Sequence, residues 1–124
     1  MSLTVERIDH VEVFVRDIAS ACAWYADVLG LKEVGRWNPE PVMIGAGGTK
    51  LALFQAPKPV NQREPPALRW HRVAWLTDEA GFEAAQQHLT AHRVAFRGPI
   101  DHQTARSIYF EDPDGHLLEI TYYL

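Results

Sequence analysis

Glu119 stands between Leu118 and Ile120 in the run "HLLEITYYL". A carboxylate in an apolar strand is costly to bury unless something pairs with it. A solvent-facing strand position is the ordinary resolution, and a bound cation is the chemically interesting one. Two histidines make the second worth pursuing. His10 in "IDHVEVFV" and His71 in "WHRVAWL" each open a strand-like run, and each is followed seven residues later by an aspartate, Asp17 and Asp78. Two neutral imidazoles and one carboxylate form an open facial ligand set, suited to Fe(II) that must also take up substrate and oxygen. Zn(II), Mn(II) or Ni(II) can use the same three donors with water. Either histidine alone reads as a hydrogen-bonded core or surface residue. Their matched positions, together with Glu119, are what point to a metal.

The elements that must position these residues recur. "HVEVFVRDIASACAWYADVLGLKEVGR" and "HRVAWLTDEAGFEAAQQHLTAHRVAFRG" read alike. In both, a strand leads to an aspartate able to cap a helix by accepting from first-turn amides. The apolar spacing then predicts a helix of about three turns, and Gly30 is a suitable left-handed terminator for the first. Further strands are expected at "PVMIG" and "KLALFQ" in the first half. In the second half they are expected at "RVAFRG", "SIYFED" and "HLLEITYYL". The reading is strand, helix and three strands, done twice. The proline-rich "APKPVNQREPPAL" lacks ladder amides and reads as a linker. The expected organisation is module one over about 5–57, a linker over about 58–68 and module two over about 69–124.

Strand side chains alternate faces. Val11, Val13 and Val15 form an apolar stripe for helix packing, so His10, Glu12 and Phe14 should look the other way. His71 shares parity with Val73 and Trp75, and Glu119 with Leu117, Thr121 and Tyr123. Matching "LAL" (Leu51 to Leu53) to "LEI" (Leu118 to Ile120) makes Ala52 the first-half counterpart of Glu119. His88 and His92 share a helix face but lack the intervening glutamate of a metalloprotease, and read as solvated. His116 alternates away from Glu119 and reads as a turn or outer-face residue.

Composition narrows the function classes. The 124 residues, 47% hydrophobic, suffice for one ordinary domain with a core. A formal net charge of −4 supplies no basic footprint for nucleic acid. No apolar run reaches the roughly 18 residues of a membrane span, and "MSLTVERIDH" does not have the form of a secretory signal. The single cysteine, Cys22, reads as a packing residue of a cytoplasmic protein.

With "IDHVEVFVRD", "AWYADVLGL" and "YFEDPDGHLLEI" in place, the repeat resembles the vicinal oxygen chelate superfamily over nearly the whole chain. That group includes glyoxalases, extradiol ring-cleaving dioxygenases, fosfomycin-inactivating thiol transferases and bleomycin-sequestering proteins. The resemblance implies an α+β fold of two tandem βαβββ modules, forming a cup-shaped mixed sheet around a metal site. It puts His10, His71 and Glu119 on the ligand positions. The run from Ile100 to Glu119 also fits the extradiol dioxygenase signature, through His102, Ile108, Tyr109, Asp112, Pro113 and Gly115. In those enzymes the residues matching His102 and Tyr109 contact the catecholate. Their upstream acid–base histidine has no counterpart between Val11 and Trp70, which leaves His102 or Tyr109 to carry the proton.

The expectation is therefore a metal-dependent enzyme, an extradiol-dioxygenase-like oxygenase acting on a catechol-like small molecule with Fe(II). A glyoxalase-type lyase or isomerase, or a thiol transferase, is the alternative; the latter shares Arg36, Trp37 and Ser107 with this chain. A non-catalytic antibiotic-binding protein is a third. Short two-module chains of this kind usually pair, and Trp70, Trp75, Tyr122 and Tyr123 offer apolar area for a homodimer.

Overall fold

The computed structural model describes residues 7–57 and 72–124. The chain forms two compact units, Met1–Val60 and Asn61–Leu124. The expected linker falls largely outside the described residues.

In the first unit, β1 (Val11–Val15) is followed by α1 (Ile18–Leu29), β2 (Lys32–Arg36), β3 (Val42–Ala46) and β4 (Thr49–Gln55). The strand order is β1-β4-β3-β2. β1 runs parallel to β4, and β4–β3 and β3–β2 are antiparallel. The second unit repeats the plan with β5 (Val73–Leu76), α2 (Glu79–Ala91), β6 (Arg97–Asp101), β7 (Ala105–Glu111) and β8 (Leu117–Tyr123). Its order is β5-β8-β7-β6, with β5 parallel to β8. These are the two α+β βαβββ modules that the repeat implies. The strand foreseen at "RVAFRG" begins only at Arg97. Arg93 takes a positive φ of 58° past the end of α2, and Val94 N–H closes on Leu89 O at 2.9 Å, so this stretch completes the helix end.

Both aspartates cap their helices. Asp17 Oδ2 accepts from Ser20 N–H at 2.8 Å and from the Ser20 hydroxyl at 2.6 Å. Asp78 Oδ1 accepts from Gly81 N–H at 2.8 Å. Each satisfies first-turn amides that have no partner within the helix. Gly30 ends α1 at φ 69°, with Gly30 N–H on Ala26 O and Leu31 N–H on Tyr25 O, both at 3.1 Å. That paired closure needs a left-handed residue, which glycine adopts without penalty.

The alternation sets the layers. Val15 is fully buried and Val11 and Val13 are partly so, whereas Glu12 and Phe14 are exposed. In the second unit Leu118, Ile120 and Tyr122 are buried on one face of β8, and Tyr122 packs on Phe82 of α2 with ring centroids 4.9 Å apart. Cys22 lies partly buried on α1, and burial, with Glu33 adding to it, pushes its thiol up. No helix among the described residues is long and apolar enough to cross a membrane.

Candidate functional site

The chemistry-bearing residues gather on the face of the second sheet opposite α2. Pairing lines up Ala74, Glu119, Tyr109 and Arg97 in one row across β5, β8, β7 and β6. The next row outward on that face holds Leu76, Thr121, Ser107 and Ile100.

Glu119 has a protein partner. Ser107 Oγ, 1% exposed as a residue, lies 2.7 Å from Glu119 Oε2 and donates to it. Thr121 Oγ1 stands 3.0 Å from the same hydroxyl and 3.1 Å from the carbonyl of Arg106. The apolar strand thus tolerates a carboxylate because a buried hydroxyl faces it across the ladder.

Tyr109 stands beside Glu119, and its hydroxyl lies 2.6 Å from His102 Nε2. His102 is aimed there by the hairpin between β6 and β7. Its N–H bonds Ala105 O at 2.8 Å, Asp101 Oδ1 accepts from Gln103 N–H at 2.8 Å, and Gln103 takes φ 72°. At the other end of β7, the "DPDG" turn is tied by Asp112. Asp112 Oδ1 accepts from Asp114 N–H at 2.9 Å and His116 N–H at 2.8 Å, and Gly115 sits at φ 85°. The second hairpin fixes the β7–β8 register that sets Tyr109 against Glu119, and the first returns His102 to Tyr109.

Two arginines, which sequence reasoning missed, converge on the same tyrosine. Arg72 Cζ lies 4.5 Å from the Tyr109 ring centroid and Arg97 Cζ 5.1 Å from it. Both distances are within cation–π range. Arg97 is held opposite Tyr109 by a bulge between Arg97 and Ile100. Gly98 in that bulge has φ 109°, and a Cβ there would stand 2.8 Å from Ser107 O. Among the described residues two buried side-chain nitrogens have no acceptor, Arg72 Nε and Trp75 Nε1.

Of the three expected metal ligands, His10 stands in the first unit and Glu119 in the second. His10 lies just ahead of β1, with Nδ1 2.9 Å from Asp9 Oδ2 and Nε2 3.1 Å from Glu12 Oε2. Asp9 first, then Glu12, raises the His10 pKa. His71 lies outside the described residues. The pairing nevertheless bears on its assignment as the counterpart of His10. Glu12 pairs Ala52 and Ala74 pairs Glu119, so on the equivalence of Ala52 and Glu119 the residue matching His10 is Arg72. Val73 and Trp75, which alternate with His71 in sequence, pair Leu118 and Ile120 on the helix-facing side. The cause is a one-residue slip. Outward-facing Phe14 precedes its capping aspartate by three positions and outward-facing Leu76 by two, so aligning on the caps shifts the strand by one. An arginine cannot ligate a cation and repels one. Among the described residues, which do not include His71, there is no group of three or more His, Cys, Asp or Glu side chains placed to hold a metal.

The remaining candidates are accounted for locally. His92 Nδ1 lies 2.9 Å from His88 O at the end of α2. Arg36 is paired with Glu33 at 2.6 Å. Tyr122, expected to offer interface area, is instead buried against Phe82, because it shares parity with Leu118 and Ile120. Tyr123 is exposed, Trp75 is partly buried, and Trp70 lies outside the described residues.

A profile of the Glyoxalase/Bleomycin resistance protein/Dioxygenase superfamily matches residues 7–120. The chain is 29% identical to a virulence protein of Salmonella typhimurium, covering 100% of this chain and 89% of that one. It is 32% identical to a metallothiol transferase of Staphylococcus saprophyticus over 94% of this chain and 76% of that one. Among solved structures, a glyoxalase/dioxygenase from Nostoc punctiforme superposes with a TM-score of 0.82 at 24% identity, covering 100% and 98% of the two chains.

Proposed function

Because the chain belongs to the glyoxalase, bleomycin resistance protein and dioxygenase superfamily, we propose that it is an enzyme that binds a small oxygen-bearing molecule on the open face of its second module. The Tyr109–His102 pair moves the proton. The observation that carries this reading is the 2.6 Å contact between the Tyr109 hydroxyl and His102 Nε2. A phenol hydrogen-bonded to an imidazole can give a proton to a substrate oxygen while the imidazole shares the charge, or take one in the reverse sense. Glu119, held by Ser107, stands one strand away to receive or orient a substrate hydroxyl.

The test is a screen of dialysed protein, with and without a chelator, against three substrate classes. These are substituted catechols in air, methylglyoxal with a thiol, and an epoxide with a thiol; the last follows from similarity to a metallothiol transferase. Turnover of one class by wild type, slowed about 10²-fold in the Tyr109→Phe variant, is expected. Binding without turnover in all three would leave a non-catalytic small-molecule protein, such as an antibiotic binder.

A second reading is an extradiol-dioxygenase-like oxygenase acting on a catechol-like ring. It is favoured by the Ile100–Glu119 signature, whose His102 and Tyr109 are in hydrogen-bond contact. It requires a divalent metal, Fe(II) first and Mn(II), Zn(II) or Ni(II) otherwise, with His10, His71 and Glu119 as its ligands. Oxygen uptake with a yellow ring-opened product, abolished by chelation, would establish it over the first reading.

A cytoplasmic homodimer is part of the same proposal. Phe14, Leu76 and Tyr123 are 56%, 73% and 69% exposed, an apolar excess that pairing can cover. Light scattering at micromolar concentration should report twice the chain mass, and a monomer would contradict it.

A further inference from the structure

We infer that Arg72, standing where the repeat would supply the second imidazole, makes the face around Tyr109 a binding site for the oxyanion group of a small organic ligand. Three observations converge on this. Arg72 Nε is buried and has no acceptor. A buried donor left unpaired is destabilising, so native proteins rarely keep one without a use. Arg72 and Arg97 both lie against the Tyr109 ring, at 4.5 and 5.1 Å, and neither has a carboxylate within 4.0 Å among the described residues. Two guanidinium groups against one ring make this face cationic. Glu119, the carboxylate in the same row, is engaged by Ser107 instead.

The chemistry of the set suits an oxyanion. A guanidinium presents parallel N–H donors that meet two oxygens of one carboxylate or phosphate, and the buried Nε–H is one of that pair. With His102 Nε2–H donating to its oxygen, the Tyr109 hydroxyl keeps its own proton as a third donor at the ring edge. A cation has no comparable welcome here. The face that the fold would otherwise give to a metal therefore takes the substrate's own negative group. Binding should be indifferent to chelators.

Because binding is read without turnover, the inference stands or falls separately from the proposed acid–base pair. The experiment is a calorimetric or NMR titration of the full chain with benzoate and, in a second arm, with inorganic phosphate, each with and without EDTA. Wild type should bind at least one probe with a Kd below about 10 mM, unchanged by EDTA. Arg72→Gln and Arg97→Gln should each weaken it about tenfold or more. Arg72→Lys, which keeps the charge but lacks the Nε–H fork, should weaken it by less than Arg72→Gln, and covers the case in which the glutamine variant fails to fold. Arg93→Gln, at the far end of α2, should have no effect. Tighter benzoate identifies a carboxylate ligand and tighter phosphate a phosphorylated one, and both uphold the site. No binding of either probe by wild type, equal binding by wild type and Arg72→Lys, or binding abolished by EDTA would overturn it.

Discussion

Tyr109 and Glu119 face each other directly across the antiparallel β7–β8 pair, and each has a different partner: Tyr109 reaches His102 at 2.6 Å and Glu119 receives Ser107 at 2.7 Å. One register thus sets a proton-carrying phenol beside an ionisable carboxylate while keeping their hydrogen bonds separate. Each partner can be removed without deleting the other.

Replacing Tyr109 by Phe removes the hydroxyl and keeps the ring against Arg72 and Arg97. Turnover of whichever substrate the screen identifies should fall about 10²-fold, the scale of a lost general acid–base group, with KM changing far less. Steady-state kinetics on the two proteins decides it. Equal kcat values would reduce Tyr109 to a packing residue.

Metal content separates the two functional readings. With Arg72 at the repeat position of His10, protein incubated with Fe(II) or Mn(II) and then desalted should keep well under one ion per chain, and His71→Ala should keep the same amount. Elemental analysis of both checks this. A stoichiometric ion in wild type that disappears in His71→Ala would restore the His10, His71 and Glu119 site and the dioxygenase reading with it.

The helix caps govern acid stability. Asp17 is held below its ordinary pKa, chiefly by the Ser20 hydroxyl and then by the Ser20 amide. A depressed folded-state pKa contributes stability that is complete above the unfolded value of about 4 and is lost as pH falls through the folded one. Thermal melts should therefore show Tm declining below about pH 4, less steeply in Asp17→Asn. At neutral pH, Asp78→Ala should cost about 1 kcal/mol through its lost bond to Gly81.

Gly98 should tolerate no side chain. Its φ of 109° and the 2.8 Å approach of a Cβ to Ser107 O penalise alanine twice. Gly98→Ala should destabilise by more than about 1 kcal/mol and displace Arg97 from Tyr109. A urea melt with an unchanged midpoint would show that the bulge relaxes freely.

Much of this molecule is written in local pattern. The valine stripe of β1, the capping aspartates, Gly30 and the "DPDG" turn each act over a few residues, where steric and hydrogen-bonding rules suffice to predict the element. His102 and Tyr109 were legible as candidate site residues, while their contact awaited the β6–β7 hairpin that returns one to the other. The identity of the residue matching His10 was not legible. Sequence offers two alignments of the halves, one from the caps and one from the strands, and they differ by a single position. A strand's faces alternate with every residue, so that one position exchanges His71 for Arg72 and an imidazole for a guanidinium. Only pairing with β8, which holds Ala74 against Glu119 and turns Val73 and Trp75 toward the helix side, chooses between them. The convergence of Arg97 on the same ring likewise required the bulge at Gly98, since a regular ladder would have carried the chain past Tyr109 in a different register.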